Sequence, residues 1–347
     1  MIDVTPGLTE EKLIGPYAYG GPVISGKFKQ CVDDFIVVEH LSYELSGEGE
    51  HVYCYVEKEN LNTESVALLL ATHAGVARKQ VNYAGLKDKQ ARTQQWFSVH
   101  LPGKITPDFT ALNEPNLRVL SQKRHLKKLQ RGALKGNQFT IRLRKVGGDD
   151  SMLKQRLDAL KFGFPNYFGL QRFGHKAQNL VKAHGLFFEK HKIKDKILKG
   201  LILSSARSWL FNRQLAIRVE AKSWGKLLKG DLINLCGSNS VFIEDEISEE
   251  LHERASRQEL VPAGLLWGQC DDSKFSAQHQ ALKQQLVAEE KWLDALETRG
   301  LMMMPRPLLC VPEQLHYEQE GDDVVLSFFL RKGSYATMFL REFFVES

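Results

Sequence analysis

The end of the chain constrains the fold more than any other stretch. Residues 324–330 read as a strand and residues 335–344 as a helix, joined by Arg331-Lys332-Gly333-Ser334. A lone strand and helix cannot bury their own apolar faces, so this fragment must complete a larger unit. Before it, residues 162–305 are mainly helical in pattern, notably 205–224 and 277–298, with a strand-like interruption at 231–242. Earlier still, residues 23–160 are rich in strand patterns. The chain is therefore expected to be α+β, with strand-rich and helix-rich parts segregated along the sequence. Pattern alone does not say which part receives the C-terminal fragment.

Within the first part, the β-branched run Phe35-Ile36-Val37-Val38, the turn-like 46–50 (SGEGE) and the alternating 51–56 predict a hairpin. Residues 63–78 change period: Val66, Leu69, Leu70 and His73 share a helical face, with Thr63 expected as N-cap and Glu64 in the first turn. His73 is expected to be a satisfied core histidine. After Gly147-Gly148-Asp149-Asp150 a helix is expected over 151–162, carrying Leu153, Leu157 and Leu160 and ended by Pro165. Tyr167, Phe168, Arg172 and Phe173 are expected at a domain seam. The acidic run 244–250 reads as a solvent face or helix start, and the proline-bounded 301–312 as a return linker.

At 347 residues the chain can bury a sizeable core, and its length suggests about two domains. Hydrophobic content of 43% with 26% charged residues argues against extended disorder. The cysteines, Cys31, Cys54, Cys236, Cys270 and Cys310, form no CxxC pair, which fits reduced thiols and gives no zinc signature. Neither a basic start with an apolar run nor a membrane-length apolar stretch is present, so a cytoplasmic protein without membrane association is expected. No HExxH, GxSxG or strand-following GxGxxG occurs. The near match to a phosphate loop at 21–28 (GPVISGKF) puts Phe28 where a hydroxyl must hold magnesium, and a strand-like segment follows. Chemistry without metal or cofactor is the expectation.

One carboxylate stands out. Asp88 lies in the polar loop 85–92 (GLKDKQAR), between segments that read as strands, with Lys87, Lys89 and Arg92 beside it. Nearby positive charge is expected to keep it ionised, which a carboxylate nucleophile or base requires. Asp33, Asp34 and Glu39 are the carboxylates that could pair with it in a hydrolase. The net charge of +5 is small, but Arg118–Gly148 holds ten Lys or Arg residues and no acidic one. There Phe139, Ile141 and Leu143 alternate with Thr140, Arg142 and Arg144, so a strand would offer arginines on one side and an apolar stripe on the other. Such a stripe suits a phosphate backbone.

The segment GLKDKQARTQQW resembles the active-site motif of the TruD family of tRNA pseudouridine synthases, whose invariant Asp falls on Asp88. Further blocks resemble the family in the same order: KQCVDDFIVVE (29–39), GALKGNQF (132–139), NYFGLQRFG (166–174), SARSWLFN (205–212) and GSYATMFLRE (333–342). Together they cover nearly the whole chain. The resemblance implies isomerisation of uridine to pseudouridine in tRNA, at position 13 in bacterial members, without redox change or group donor; no protein partner is evident in the sequence. It implies a catalytic domain built on a mixed, largely antiparallel sheet and interrupted by an inserted, mainly helical α+β domain. The expected division is 1–161 and 306–347 for the catalytic domain and 162–305 for the insertion, with tRNA between the two.

The same resemblance implies Asp88 as the catalytic carboxylate and Phe139 stacked on the target base. Asn137 would support the catalytic loop by hydrogen bonding, Lys29 would be the basic residue beside Asp88, and Phe35 would contact substrate. Lys127, Lys128, Arg131, Lys135, Arg142 and Arg144 are the RNA-contact candidates, with Lys176 and Lys182 further along. Two rival classes are a tRNA-binding protein without chemistry and a hydrolase working through a carboxylate pair.

Overall fold

The computed structural model describes residues 9–347 apart from Asn239 and Asp271; the start of the chain, on which the targeting reading partly rests, lies outside the described residues. The chain forms two compact units. One comprises Val23–Ser151, Pro312–Gly333 and Phe344–Ser347; the other comprises the chain up to Pro22, Met152–Val311 and Ser334–Phe343.

The first unit is built on an eleven-stranded sheet. Its main path runs Glu313–Glu320, Asp323–Arg331, Leu134–Gly148, Phe35–Leu41, Arg92–His100, His51–Glu59, Leu117–His125 and Asn113–Glu114. All pairings on that path are antiparallel except Phe35–Leu41 with Arg92–His100. Ile24–Phe28 adds to Leu134–Gly148 and pairs in parallel with Phe344–Glu346, while Val81–Tyr83 pairs with Arg92–His100. The alternation of residues 139–144 holds: Phe139, Ile141 and Leu143 are buried and Thr140, Arg142 and Arg144 half-buried. On the other half of the sheet the helix Thr63–His73 lays Val66, Ala67, Leu70 and Ala71 against Val52, Cys54, Val56, Phe97 and Val99. Each fully buried Val or Leu of this kind contributes roughly 1.5–3 kcal/mol.

Three local expectations change here. Phe35–Leu41 and His51–Glu59 do not pair as a hairpin; Arg92–His100 lies between them. A two-residue turn would have fixed their register, whereas the long connection 42–50 leaves each strand free to take another neighbour. The cap position of the helix belongs to Asn62, and Thr63 turns its hydroxyl to the main-chain N–H of Lys87 at 3.0 Å. His73 is half-buried, with Nε2 3.0 Å from the Asp108 carbonyl.

The second unit carries a four-stranded antiparallel sheet, Val241–Ile243, Leu232–Leu235, Leu260–Leu266 and Met304–Pro307, and the long helix Lys196–Glu220. Residues 301–312 are thus no linker. Met304–Pro307 is an edge strand, where prolines are tolerated because one side needs no ladder donor. The expected limit at residue 305 falls inside this strand, whose pairing with Leu260–Leu266 keeps it in the second unit, and that unit continues to Val311. The acidic run leads into the helix Glu249–Ser256, capped by Ser248. Tyr167, Phe168 and Phe173 are buried within this unit, with the Arg306 guanidinium 3.9 Å from the Phe168 ring centre.

The C-terminal fragment is divided between the units. Asp323–Arg331 joins the large sheet, but the helix Ala336–Arg341, expected beside it, belongs to the second unit. Polar anchors explain its placement. Arg341 pairs with Glu10 at 3.1 Å and donates to the Gly15 carbonyl, and the buried Glu342 carboxylate accepts from the N–H groups of Ala18 and Tyr19. Among the described residues no helix is long and apolar enough to cross a membrane.

Candidate active site

Register in the large sheet brings the site together. Lys58 lies opposite Thr93, Thr93 beside Val37, Val37 opposite Phe139 and Phe139 opposite Phe328. Cross-strand partners point to the same side, so these five form one row. In the adjoining row Glu39 faces Asn137 and Asn137 faces Leu330.

The Asp88 loop closes the hairpin of Val81–Tyr83 with Arg92–His100 and rests on polar anchors. Gln95 Nε2 donates to the Gly85 carbonyl at 2.6 Å, the Thr63 hydroxyl accepts the Lys87 N–H, and Lys58 Nζ donates to the Asp88 carbonyl at 2.8 Å. Lys87 sends its side chain inward. Its Nζ lies 2.7 Å from Glu39 Oε2 and donates to Asn137 Oδ1 at 2.7 Å, while Glu39 Oε1 accepts from the Trp96 N–H at 3.2 Å. This ion pair is almost wholly out of solvent, with the Glu39 side chain 0% exposed.

The Asp88 carboxylate, by contrast, is 39% exposed and makes a 2.6 Å ion pair with Lys29 Nζ. Lys29 sits in the left-handed region at φ 54°, a conformation that costs a non-glycine residue on the order of 1–3 kcal/mol and tends to occur at functional sites. Its ammonium lies 3.9 Å from the centre of the Phe35 ring. Phe35 is 6.0 Å from Phe139, and Phe139 stacks on Phe328 at 5.5 Å. Lys29, Phe35 and Asp88 are therefore gathered, with Phe139 behind Phe35 and Asn137 acting through Lys87. Phe139 is only 8% exposed and one face is stacked, so at most the other face is open to a base.

The three carboxylates considered as a second catalytic acid are engaged elsewhere. Asp33 pairs with Arg92 at 2.8 Å, Asp34 with Arg144 at 2.7 Å and Glu39 with Lys87. The same contacts sort the basic stretch. Arg142 is held by Glu320 and Asp323, and Arg144 by Asp34 and Asp323, so both are largely neutralised on the sheet. Arg144 holds the Asp34 carboxyl below its usual range against the opposing effect of burial. Lys127, Lys128, Arg131 and Lys135 are exposed and make no ion pair among the described residues.

Sequence reasoning missed Lys58. The available signal was parity: Val52, Cys54, Val56 and Lys58 share one side of a strand, so a lysine stands where apolar residues belong. It is 0% exposed. Burial pulls its ammonium down to about 8, with the Asp88 carboxylate opposing that shift and Lys87 adding to it. As pH rises through that value the folded chain sheds this proton while the unfolded chain keeps it, so unfolding takes up a proton and stability rises with pH. Urea midpoints of the wild type and Lys58→Met, a constant distance apart below pH 7, are therefore expected to shift in favour of the wild type above pH 8. A constant difference from pH 7 to 10 would mean that the ammonium is hydrated in solution.

The comparisons with known proteins identify the family to which a chain with this fold and this loop belongs. The chain belongs to the tRNA pseudouridine synthase D (TruD) family, whose sequence model matches residues 14–184 and 177–343. It is 43% identical over 329 residues to the tRNA pseudouridine synthase D of Legionella pneumophila (strain Lens), covering 94% of this chain and 97% of that protein. The enzyme of the same name from Aeromonas salmonicida (strain A449) is 42% identical over 327 residues, covering 94% and 92%. A solved structure from Methanosarcina mazei, assigned as TruD, shares the fold with a TM-score of 0.70 at 21% identity, over 96% of both chains.

Proposed function

We propose that this chain converts uridine to pseudouridine in tRNA and that Asp88 is the group that opens the reaction. The observation that carries this reading is the half-exposed Asp88 carboxylate, fixed by its loop anchors and paired with Lys29 beside Phe35. The reaction breaks the N1–C1′ glycosidic bond, turns the uracil and joins C5 to C1′, releasing the C5 hydrogen as a proton while N1 gains one. A carboxylate can attack C1′ and later be displaced by C5, or remove a sugar proton and later return it. Both routes need the Asp88 carboxylate within reach of the ribose.

The target is taken to be position 13, in keeping with the resemblance, and the setting the cytoplasm. In this reading the unit with the large sheet is catalytic and the middle stretch Met152–Val311 of the second unit carries the insertion, with Lys176 and Lys182 as contributors to RNA binding. A uridine within folded tRNA must be turned out of its stack, at a few kcal/mol, before its C1′ can be reached. Phosphate contacts by Lys127, Lys128, Arg131 and Lys135 would help to offset that. Reacting the protein with tRNA carrying tritium at uridine C5 tests the chemistry. Release of tritium to water distinguishes isomerisation from binding alone, and free uracil would indicate a hydrolase instead.

Removing Lys127 and Lys128 together is expected to weaken tRNA binding with little effect on the chemical step. Each lost phosphate contact lowers the magnitude of the log-log salt slope by about 0.7 to 0.9. Affinity and slope both unchanged would take these lysines out of the interface.

A further inference from the structure

Lys58 carries more than its single contact implies. It lies near the end of the strand His51–Glu59, opposite Thr93 on one side and Leu117 on the other, in a row shared with Cys54 and Val56. Its side chain reaches the main-chain carbonyl of Asp88 at 2.8 Å. A methionine would fill the same space without bringing a charge out of water, and replacing buried charge by apolar volume is often neutral or stabilising. Stability by itself therefore gives no reason for a lysine here. The reason must lie in what the ammonium holds.

Three lysines grip the same loop in three different ways. Lys29 takes the Asp88 carboxylate, Lys87 is drawn inward to Glu39 and Asn137, and Lys58 takes the Asp88 carbonyl. The contacts of Lys29 and Lys87 fix side chains. The loop's main chain is held at the Gly85 carbonyl by Gln95, at the Lys87 N–H by Thr63 and at the Asp88 carbonyl by Lys58. Of these three, only Lys58 acts on the reacting residue itself, by setting the peptide plane that follows its Cα. A carboxylate on a loop with Leu86 77% exposed needs such a restraint, because the loop has little apolar packing of its own at that point.

We propose that Lys58 is a positioning residue for the isomerisation, holding the Asp88 main chain so that the carboxylate meets the sugar in one orientation. The inference rests on Asp88 being the reacting group. Misplacing a reacting atom by about 1 Å can cost roughly 10²-fold in rate. Such a loss falls on the chemical step and leaves binding alone, since Lys58 is buried and cannot touch RNA.

The test uses the full-length protein and tRNA tritiated at uridine C5, comparing wild type, Lys58→Met and Lys58→Arg in single turnovers at saturating enzyme. Rates are expressed per tRNA-binding-competent molecule, so that partial unfolding does not masquerade as slow chemistry. Lys58→Met is expected to lose about 30- to 100-fold in the single-turnover rate, with tRNA affinity within about twofold of wild type. Lys58→Arg, which restores a donor at the same carbonyl, is expected to recover part of that loss. A Lys58→Met rate within threefold of wild type, or an arginine variant no faster than the methionine variant, overturns the proposal. Failure of the wild type itself to release tritium would instead overturn the functional reading on which it rests.

Discussion

Asp88→Asn is expected to abolish tritium release from C5-labelled tRNA, a loss of at least roughly 10³-fold, while tRNA still binds. The amide keeps the shape of the carboxylate but can neither attack C1′ nor take a sugar proton. Folding should be nearly unaffected. Asp88 is 39% exposed, and its ion pair with Lys29 is of the kind that contributes about 0–1 kcal/mol. The variant's melting temperature should therefore stay close to that of the wild type. Wild-type turnover by Asp88→Asn would remove Asp88 from the mechanism, and loss of folding would leave the inactivity without its stated cause.

The largest effect on stability is expected from Lys87→Met. It leaves the Glu39 carboxylate, 1% exposed, without its cation and removes a donor from Asn137. Breaking a buried pair by deleting one partner typically costs about 3–5 kcal/mol, because the remaining charge is neither hydrated nor paired. For a protein of this size the melting temperature should fall on the order of 10 °C. Glu39→Gln combined with Lys87→Met should recover much of that loss, since no charge is then stranded. The double-mutant cycle measures the coupling directly. Single and double variants of equal stability would show that the two side chains are not coupled in the folded protein.

The two predictions differ in kind because the two charges do. Asp88 is open to solvent and its role lies with the substrate. Glu39 is enclosed and its role is to place Lys87, hence Asn137 and the near side of the loop. Glu39 shares the parity of Phe35 and Val37, and an acid buried there needs a cation of its own, which leaves it unsuited to be a hydrolase's second carboxylate.

What the sequence alone determined is what depends on local pattern. The alternation of Phe139, Ile141 and Leu143 set that strand's buried face, the helical period of residues 63–78 set the helix that covers Cys54 and Val56, although it ends at His73, and the blocks around Asp88 resembled one family in order. Only the tertiary structure decided which elements meet. It put Arg92–His100 between two strands expected to form a hairpin, turned residues 304–307 from linker to edge strand, and gave the helix Ala336–Arg341 to the second unit. It also neutralised Arg142 and Arg144 with acids about 180 and 110 residues away in sequence and set Lys58 beneath the Asp88 carbonyl. The physical reason is common to all of these. Periodicity records which side of an element is buried, and that follows from nearest neighbours along the chain. The identity of the group on the other side of the interface is set by competition among distant segments, whose small free-energy differences leave no periodic trace in the sequence.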